Sequence, residues 1–120
     1  MSLIYENKII DAGALVSSFQ DENMFILFGN NAPDTLKDFC YIVDIKSTEK
    51  SIEVGHTLDI DGNKFKITGI GDIAEKNLTS LGHTTIVFDG SEVASLPGSI
   101  YVEKSNMPEI KVGTILKIED

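Results

Sequence analysis

Two histidines and one cysteine are the side chains of this sequence best suited to nucleophilic chemistry. His83 follows Leu78-Thr79-Ser80-Leu81-Gly82 and precedes Thr84-Thr85, so it stands where glycine stops one segment and an alternating one begins. At such a junction a neighbouring group can hold one ring nitrogen while the other faces outward, as a nucleophilic imidazole requires. Hydroxyls (Ser80, Thr84, Thr85) and acids (Glu75, Asp89) lie close to it in sequence, and backbone N–H groups are expected to be unpaired at a strand end. An isolated histidine is more often solvated or a satisfied interior residue. His56, just after Gly55 and ahead of a hairpin, reads as solvated. Cys40, within Phe39-Cys40-Tyr41-Ile42-Val43, reads as a buried and inert thiol.

Other chemistries find no support. No Gly-X-Ser-X-Gly elbow is present for a serine nucleophile. Two well-separated histidines and one cysteine do not make the three or four closely spaced ligands of a zinc site, so no metal is expected. Gly69-Ile70-Gly71 lacks the third glycine and the long helix of a phosphate-binding loop, and no cofactor is expected. The formal charge of -9, from 19 acids against 10 bases, argues against nucleic acid, whose phosphates are bound by displacing counterions with basic side chains.

The elements that must position His83 are short. The spacing of 71–82 predicts a helical turn with Asp72 as cap, Glu75 completing a capping-box spacing, and an apolar side of Ile73, Leu78 and Leu81. The strand 83–88 alternates His83, Thr85 and Val87 against Thr84, Ile86 and Phe88, and Asp89-Gly90 closes it. Alternation predicts further strands over 4–10, 39–45, 99–103 and 114–118. The apolar run Met24-Phe25-Ile26-Leu27-Phe28 reads as a strand buried on both sides, 32–39 carries one or two helical turns, and 13–19 makes a brief helix or a tight connection. Residues 54–70 form the clearest hairpin, because Asp61-Gly62 or Gly62-Asn63 supplies the positive-φ residues of a tight turn. Val54-Gly55-His56-Thr57-Leu58 and Val112-Gly113-Thr114-Ile115-Leu116 look alike, and we read both as glycine-entered strands, not as a repeat.

About seven to eight short strands with no long helix between them predict an all-β fold, a small closed or nearly closed β-barrel with one or two brief helical turns. Phe25, Phe28, Phe39, Phe65 and Phe88 argue for a filled interior, against a small-molecule-binding barrel. The 120 residues suit one domain spanning 1–120, and an apolar fraction of 42% is ordinary for a globular chain. No apolar run approaches a membrane span and the start lacks the regions of a signal peptide, so neither membrane insertion nor a leader is expected. A single cysteine cannot form an internal disulfide, in keeping with a cytoplasmic location.

Asn77-Leu78-X-X-Leu81-Gly82-His83-X-Thr85, then Phe88-Asp89-Gly90 and Leu96-Pro97-Gly98, closely resembles the glucitol/sorbitol-specific enzyme IIA family of the bacterial phosphotransferase system. The similarity extends through Gly71-Asp72-Ile73-Ala74-Glu75 and Phe39-Cys40-Tyr41-Ile42, to Ile4-Tyr5 at one end and Gly113-Thr114-Ile115-Leu116-Lys117 at the other. Several patches in one order over nearly the whole chain are more specific than any single motif.

The resemblance implies a small β-barrel and a cytoplasmic phosphocarrier. Such a protein accepts a phosphoryl group on a histidine from the histidine phosphocarrier protein. It then passes the group to enzyme IIB of a sugar-alcohol transporter, beside its IIC membrane unit. A homodimer is compatible with this role. On this reading His83 is the phosphorylated residue, with Gly82, Thr84 and Thr85 supporting the phosphoryl group. The resemblance also implies that the family's phosphorylated histidine stands at the position of Val43. Valine carries no phosphoryl group. Either His83 does the work, or the chain is a non-catalytic binding or regulatory paralogue that keeps the fold.

Overall fold

The computed structural model describes residues 2–120. Nine strands form one curled sheet: β1 Leu3–Lys8, β2 Asp11–Ala12, β3 Met24–Gly29, β4 Tyr41–Val43, β5 Thr57–Ile60, β6 Asn63–Ile70, β7 Thr84–Val87, β8 Ser99–Val102 and β9 Ile115–Glu119. Among the described residues helical structure is confined to a 3-10 segment Val16–Glu22 and the helices α1 Asp34–Lys37 and α2 Ala74–Leu81. This is the expected all-β architecture.

The strand order is β1-β9-β5-β6-β8-β7-β3-β4-β2. The two outermost strands are consecutive pieces of one N-terminal segment: β1 pairs with β9, and β2 pairs with β4. Between them, the Ile9 N–H bonds the Thr114 carbonyl on one side and the Ile10 N–H bonds the Ile42 carbonyl on the other. The sheet thus curls back on itself through residues 3–12, which leaves no long open edge.

The hairpin β5–β6 turns through Asp61 (φ 50°) and Gly62 (φ 92°), with Ile60 opposite Asn63. Positive φ at both central residues matches the twist of the flanking strands. Gly55 and Gly113 both hold φ 98° where the chain enters β5 and β9, the shared turn that their look-alike sequences suggested. Two neighbouring pairs are parallel, β3 with β4 and β7 with β8, and these flank the antiparallel pair β3–β7.

The inward residues of these strands build the core. Ile4, Ile60, Ile67, Phe88, Val43 and Val102 are fully buried, and burying each such side chain is worth about 1.5–3 kcal/mol. Phe25, Phe65 and Phe88 pack in a chain with centroid separations of 6.0 and 5.0 Å. The void lined by Tyr5, Phe25, Leu27, Leu58 and Ile100 holds about 10 Å³, scarcely one water. The interior is filled. Two of the five phenylalanines expected there lie outside it: Phe39 packs on Phe19 at 6.1 Å, and Phe28 stacks on His83. The run 24–28 is accordingly not buried on both sides, for Met24 and Ile26 on its outer face are half-buried.

Candidate functional site

Helix α2 delivers the chain to His83. No side chain caps its start: the N-cap residue is Ile73, not Asp72. Glu75 instead turns its carboxylate to the β4–β5 connection, accepting the Ile52 N–H at 2.7 Å and the Thr48 hydroxyl at 3.3 Å. The buried residues of α2 are Ala74 and Leu78, one turn apart, while Ile73 and Leu81 are exposed. The expected apolar side is thus rotated. Gly82 ends the helix in the left-handed conformation with φ 70°. Its N–H bonds the Leu78 carbonyl at 3.0 Å, and the His83 N–H reaches the Asn77 carbonyl at 3.2 Å. The left-handed glycine thus turns both N–H groups back onto carbonyls of the last turns of α2. This corrects one expectation: the N–H groups of Gly82 and His83 are satisfied by α2 and are not free for an anion.

The His83 ring lies on the outer face of the barrel. In the β3–β7 ladder Leu27 stands opposite Thr84, so Phe28 faces His83. Their rings stack with centroids 4.3 Å apart and planes inclined by 24°. His83 Nδ1 lies 3.0 Å from the Leu27 carbonyl oxygen. A carbonyl only accepts, so Nδ1 carries the proton and donates it. In the neutral ring Nε2 then keeps its lone pair. Among the described residues no buried side-chain nitrogen or oxygen lacks a partner and none bonds Nε2, so Nε2 is reached by solvent.

His56 is arranged the opposite way. Its Nδ1 accepts the Glu53 N–H at 3.0 Å, while its own N–H donates to the Glu53 carbonyl at 3.1 Å. The lone pair of the neutral ring is thereby occupied, and the ring proton is on Nε2. The two histidines are not brought together: β5, which follows His56, and β7, which follows His83, are separated by β6 and β8.

The remaining candidates divide by face. Thr84 is buried and its hydroxyl donates to the Gly98 carbonyl at 2.9 Å, which holds it inside the barrel and away from the His83 ring. Thr85 shares the outer face with His83, opposite Ile26, and is half-buried. Cys40 is buried, its Sγ donates to the Leu36 carbonyl at 3.2 Å, and burial pushes its thiol up to about 11. It is not poised for nucleophilic work.

Val43 and His83 border the same end of β3 from opposite sides. Val43 pairs with Gly29 across the β3–β4 ladder and points into the core with no exposed surface. His83 lies across β7 and points out. Among the described residues no cluster of histidine, cysteine and acidic side chains could hold a metal ion, and no helix is long and apolar enough to cross a membrane.

Phe28, Gly29 and the Leu27 carbonyl escape a reading of composition and spacing. The run 24–28 signals only burial, and the pairing register alone sets Phe28 against His83. A weak signal was available in the parity of the two strands, once their antiparallel pairing is known.

Residues 4–117 match the family described as "PTS system glucitol/sorbitol-specific IIA component". The chain is 31% identical over 119 residues to the glucitol/sorbitol-specific EIIA components of Shigella flexneri and Escherichia coli K12, covering 99% of this chain and 97% of each relative. Its fold is similar to the crystal structure of a PTS system IIA component from Enterococcus faecalis V583. There the TM-score is 0.82 at 28% identity, over 97% of this chain and all of that one.

Proposed function

The chain belongs to the family of glucitol/sorbitol-specific IIA components of the phosphotransferase system, and from that membership we propose that it is the cytoplasmic phosphocarrier of a sugar-alcohol transporter, phosphorylated on Nε2 of His83. The observation that carries this reading is the hydrogen bond from His83 Nδ1 to the Leu27 carbonyl, which fixes the tautomer with its lone pair on Nε2.

Transfer then proceeds as follows. The Nε2 lone pair attacks the phosphorus of the phosphohistidine on the histidine phosphocarrier protein. The donor's P–N bond breaks, and its electron pair returns to the donor imidazole. His83 keeps its Nδ1 proton, so the phosphorylated ring is cationic and its charge is met by the Leu27 carbonyl. Attack by a nucleophile on enzyme IIB reverses these roles. Such chemistry asks for alignment and charge stabilisation more than for covalent machinery. Thr85 is the hydroxyl placed on the ring's face to meet a phosphoryl oxygen, and Gly82 serves by its turn, not by its N–H. Thr84 supports the site only through the strand it anchors.

Phosphoryl transfer from the labelled phosphocarrier protein to wild type and to His83→Gln tests the reading. Label on the wild type and none on the variant supports it; equal labelling of both defeats it.

A second reading has its own support. Val43, where the family resemblance expects the phosphorylated histidine, has no exposed surface and no chemistry. The end of α2 at His83 also offers carbonyls, not donors, to an anion. On this reading the chain docks on phosphotransferase proteins as a regulatory module, and its binding is indifferent to His83→Gln.

A further inference from the structure

Phe28 is an aromatic side chain on the outer face of a barrel, and only 7% of it is exposed. It belongs to none of the inward packing: Phe25 and Leu27, on either side of Ile26, enter the core cluster, and Phe28 does not. Its ring instead underlies the His83 imidazole at 4.3 Å, nearly parallel to it. The next residue, Gly29, lies against Gly82, so the strand end that carries Phe28 and the turn that carries His83 are held together. The preceding residue, Leu27, supplies the carbonyl that takes the Nδ1 proton. Three consecutive residues of β3 thus contact the imidazole or the glycine before it.

We infer that Phe28 is the positioning residue of this site, holding the His83 ring in the plane in which Nδ1 reaches the Leu27 carbonyl and favouring the cationic ring produced when Nε2 is phosphorylated. The first half rests on geometry alone. A stacked face leaves the imidazole little freedom to rotate about its Cβ–Cγ bond, and such rotation would exchange Nδ1 and Cδ2 at the carbonyl. The second half rests on the phosphocarrier reading. The ring is neutral before transfer and positive after it, because the Nδ1 proton stays in place. The negative face of a phenyl ring attracts the positive form more than the neutral one. An interaction stronger in the charged state lowers the barrier to reaching it.

The test compares Phe28→Leu and Phe28→Tyr with wild type by two readouts. Nitrogen-15 NMR of the His83 ring reports the tautomer, and rapid-quench transfer from the phosphorylated phosphocarrier protein reports the rate. Wild type and Phe28→Tyr are expected to hold the proton on Nδ1 and to accept phosphoryl groups at similar rates. Phe28→Leu is expected to show a mixture of tautomers and to accept on the order of 10- to 100-fold more slowly. A purely structural side chain would not move the tautomer ratio in a folded variant. If Phe28→Leu does not fold, Phe28→Met supplies the aliphatic arm. Wild-type tautomer in the aliphatic variant overturns the positioning role, and a wild-type rate overturns the charge role. If wild type itself accepts no phosphoryl group, the phosphocarrier reading fails and takes the charge role with it, and the tautomer measurement still decides the positioning role.

Discussion

Gly82 and Gly29 lie back to back. A Cβ on Gly82 would stand 2.8 Å from the Gly29 Cα, and a Cβ on Gly29 would meet the Leu81 carbonyl oxygen at 2.5 Å and the Ile45 side chain at 2.7 Å. This contact brings the end of α2 onto the end of β3, and His83 is the next residue along. Gly82 is doubly constrained, because its φ of 70° is itself unfavourable for a side chain. Gly82→Val should therefore lose at least about 1 kcal/mol of stability and weaken phosphoryl acceptance. Denaturant unfolding with wild-type midpoint, together with wild-type transfer, would show that the contact matters to neither.

The opposite tautomers of the two histidines separate their roles. His56→Gln should leave phosphoryl acceptance unchanged, since the His56 lone pair already takes the Glu53 N–H. The lost turn bond should cost only about 0.5–1.5 kcal/mol. A large loss of acceptance in this variant would move the site to His56.

Glu75 fastens the β4–β5 connection to α2 through the Ile52 N–H and the Thr48 hydroxyl. Glu75→Ala should strip the Ile52 amide of its partner and cost about 1–3 kcal/mol. Hydrogen exchange at Ile52 should quicken, and Glu75→Gln should keep much of the protection through its amide oxygen. Unchanged exchange at Ile52 in Glu75→Ala would mean that the connection is held by other contacts.

Burial raises the Cys40 thiol from an ordinary 9.0 to about 11, so folding favours the neutral form. The stabilisation is fully present below pH 9, where the thiol is neutral in both states. It is lost as pH rises from 9 to 11, because the unfolded chain ionises first. Wild type should lose stability across that window relative to Cys40→Ala, whatever the baseline offset between them. Parallel stability curves for the two proteins would contradict the assignment.

Local chemistry made much of the fold legible, and long-range register hid the rest. The β5–β6 turn declares itself because Asp61-Gly62 suits two positive φ angles, and Gly82 declares the end of α2 for a similar reason. His83 stood out by its junction. The expected capping box failed because the N-cap falls on Ile73, one residue past Asp72, while Glu75 bonds a segment more than twenty residues upstream, a contact no local pattern encodes. Strand alternation already set Thr84 on the face opposite His83 and Thr85, and its burial and bond to the Gly98 carbonyl keep it there. Phe28 read as core because a run of five apolar residues shows no alternation of its own, and its parity gains meaning only from the antiparallel pairing with β7. The parallel β3–β4 pairing, which buries Val43 beside Gly29, likewise has no signature in the residues that form it.

The most direct test is intact mass after incubation with phosphoenolpyruvate, enzyme I and the histidine phosphocarrier protein, read at neutral and then at acid pH, for wild type and His83→Gln. The predicted result is one phosphoryl group on the wild type, lost in acid and absent from the variant. No mass gain on the wild type, with the donor proteins active on a known acceptor, would contradict phosphorylation of His83 and leave Val43 as the mark of a chain that binds without transferring.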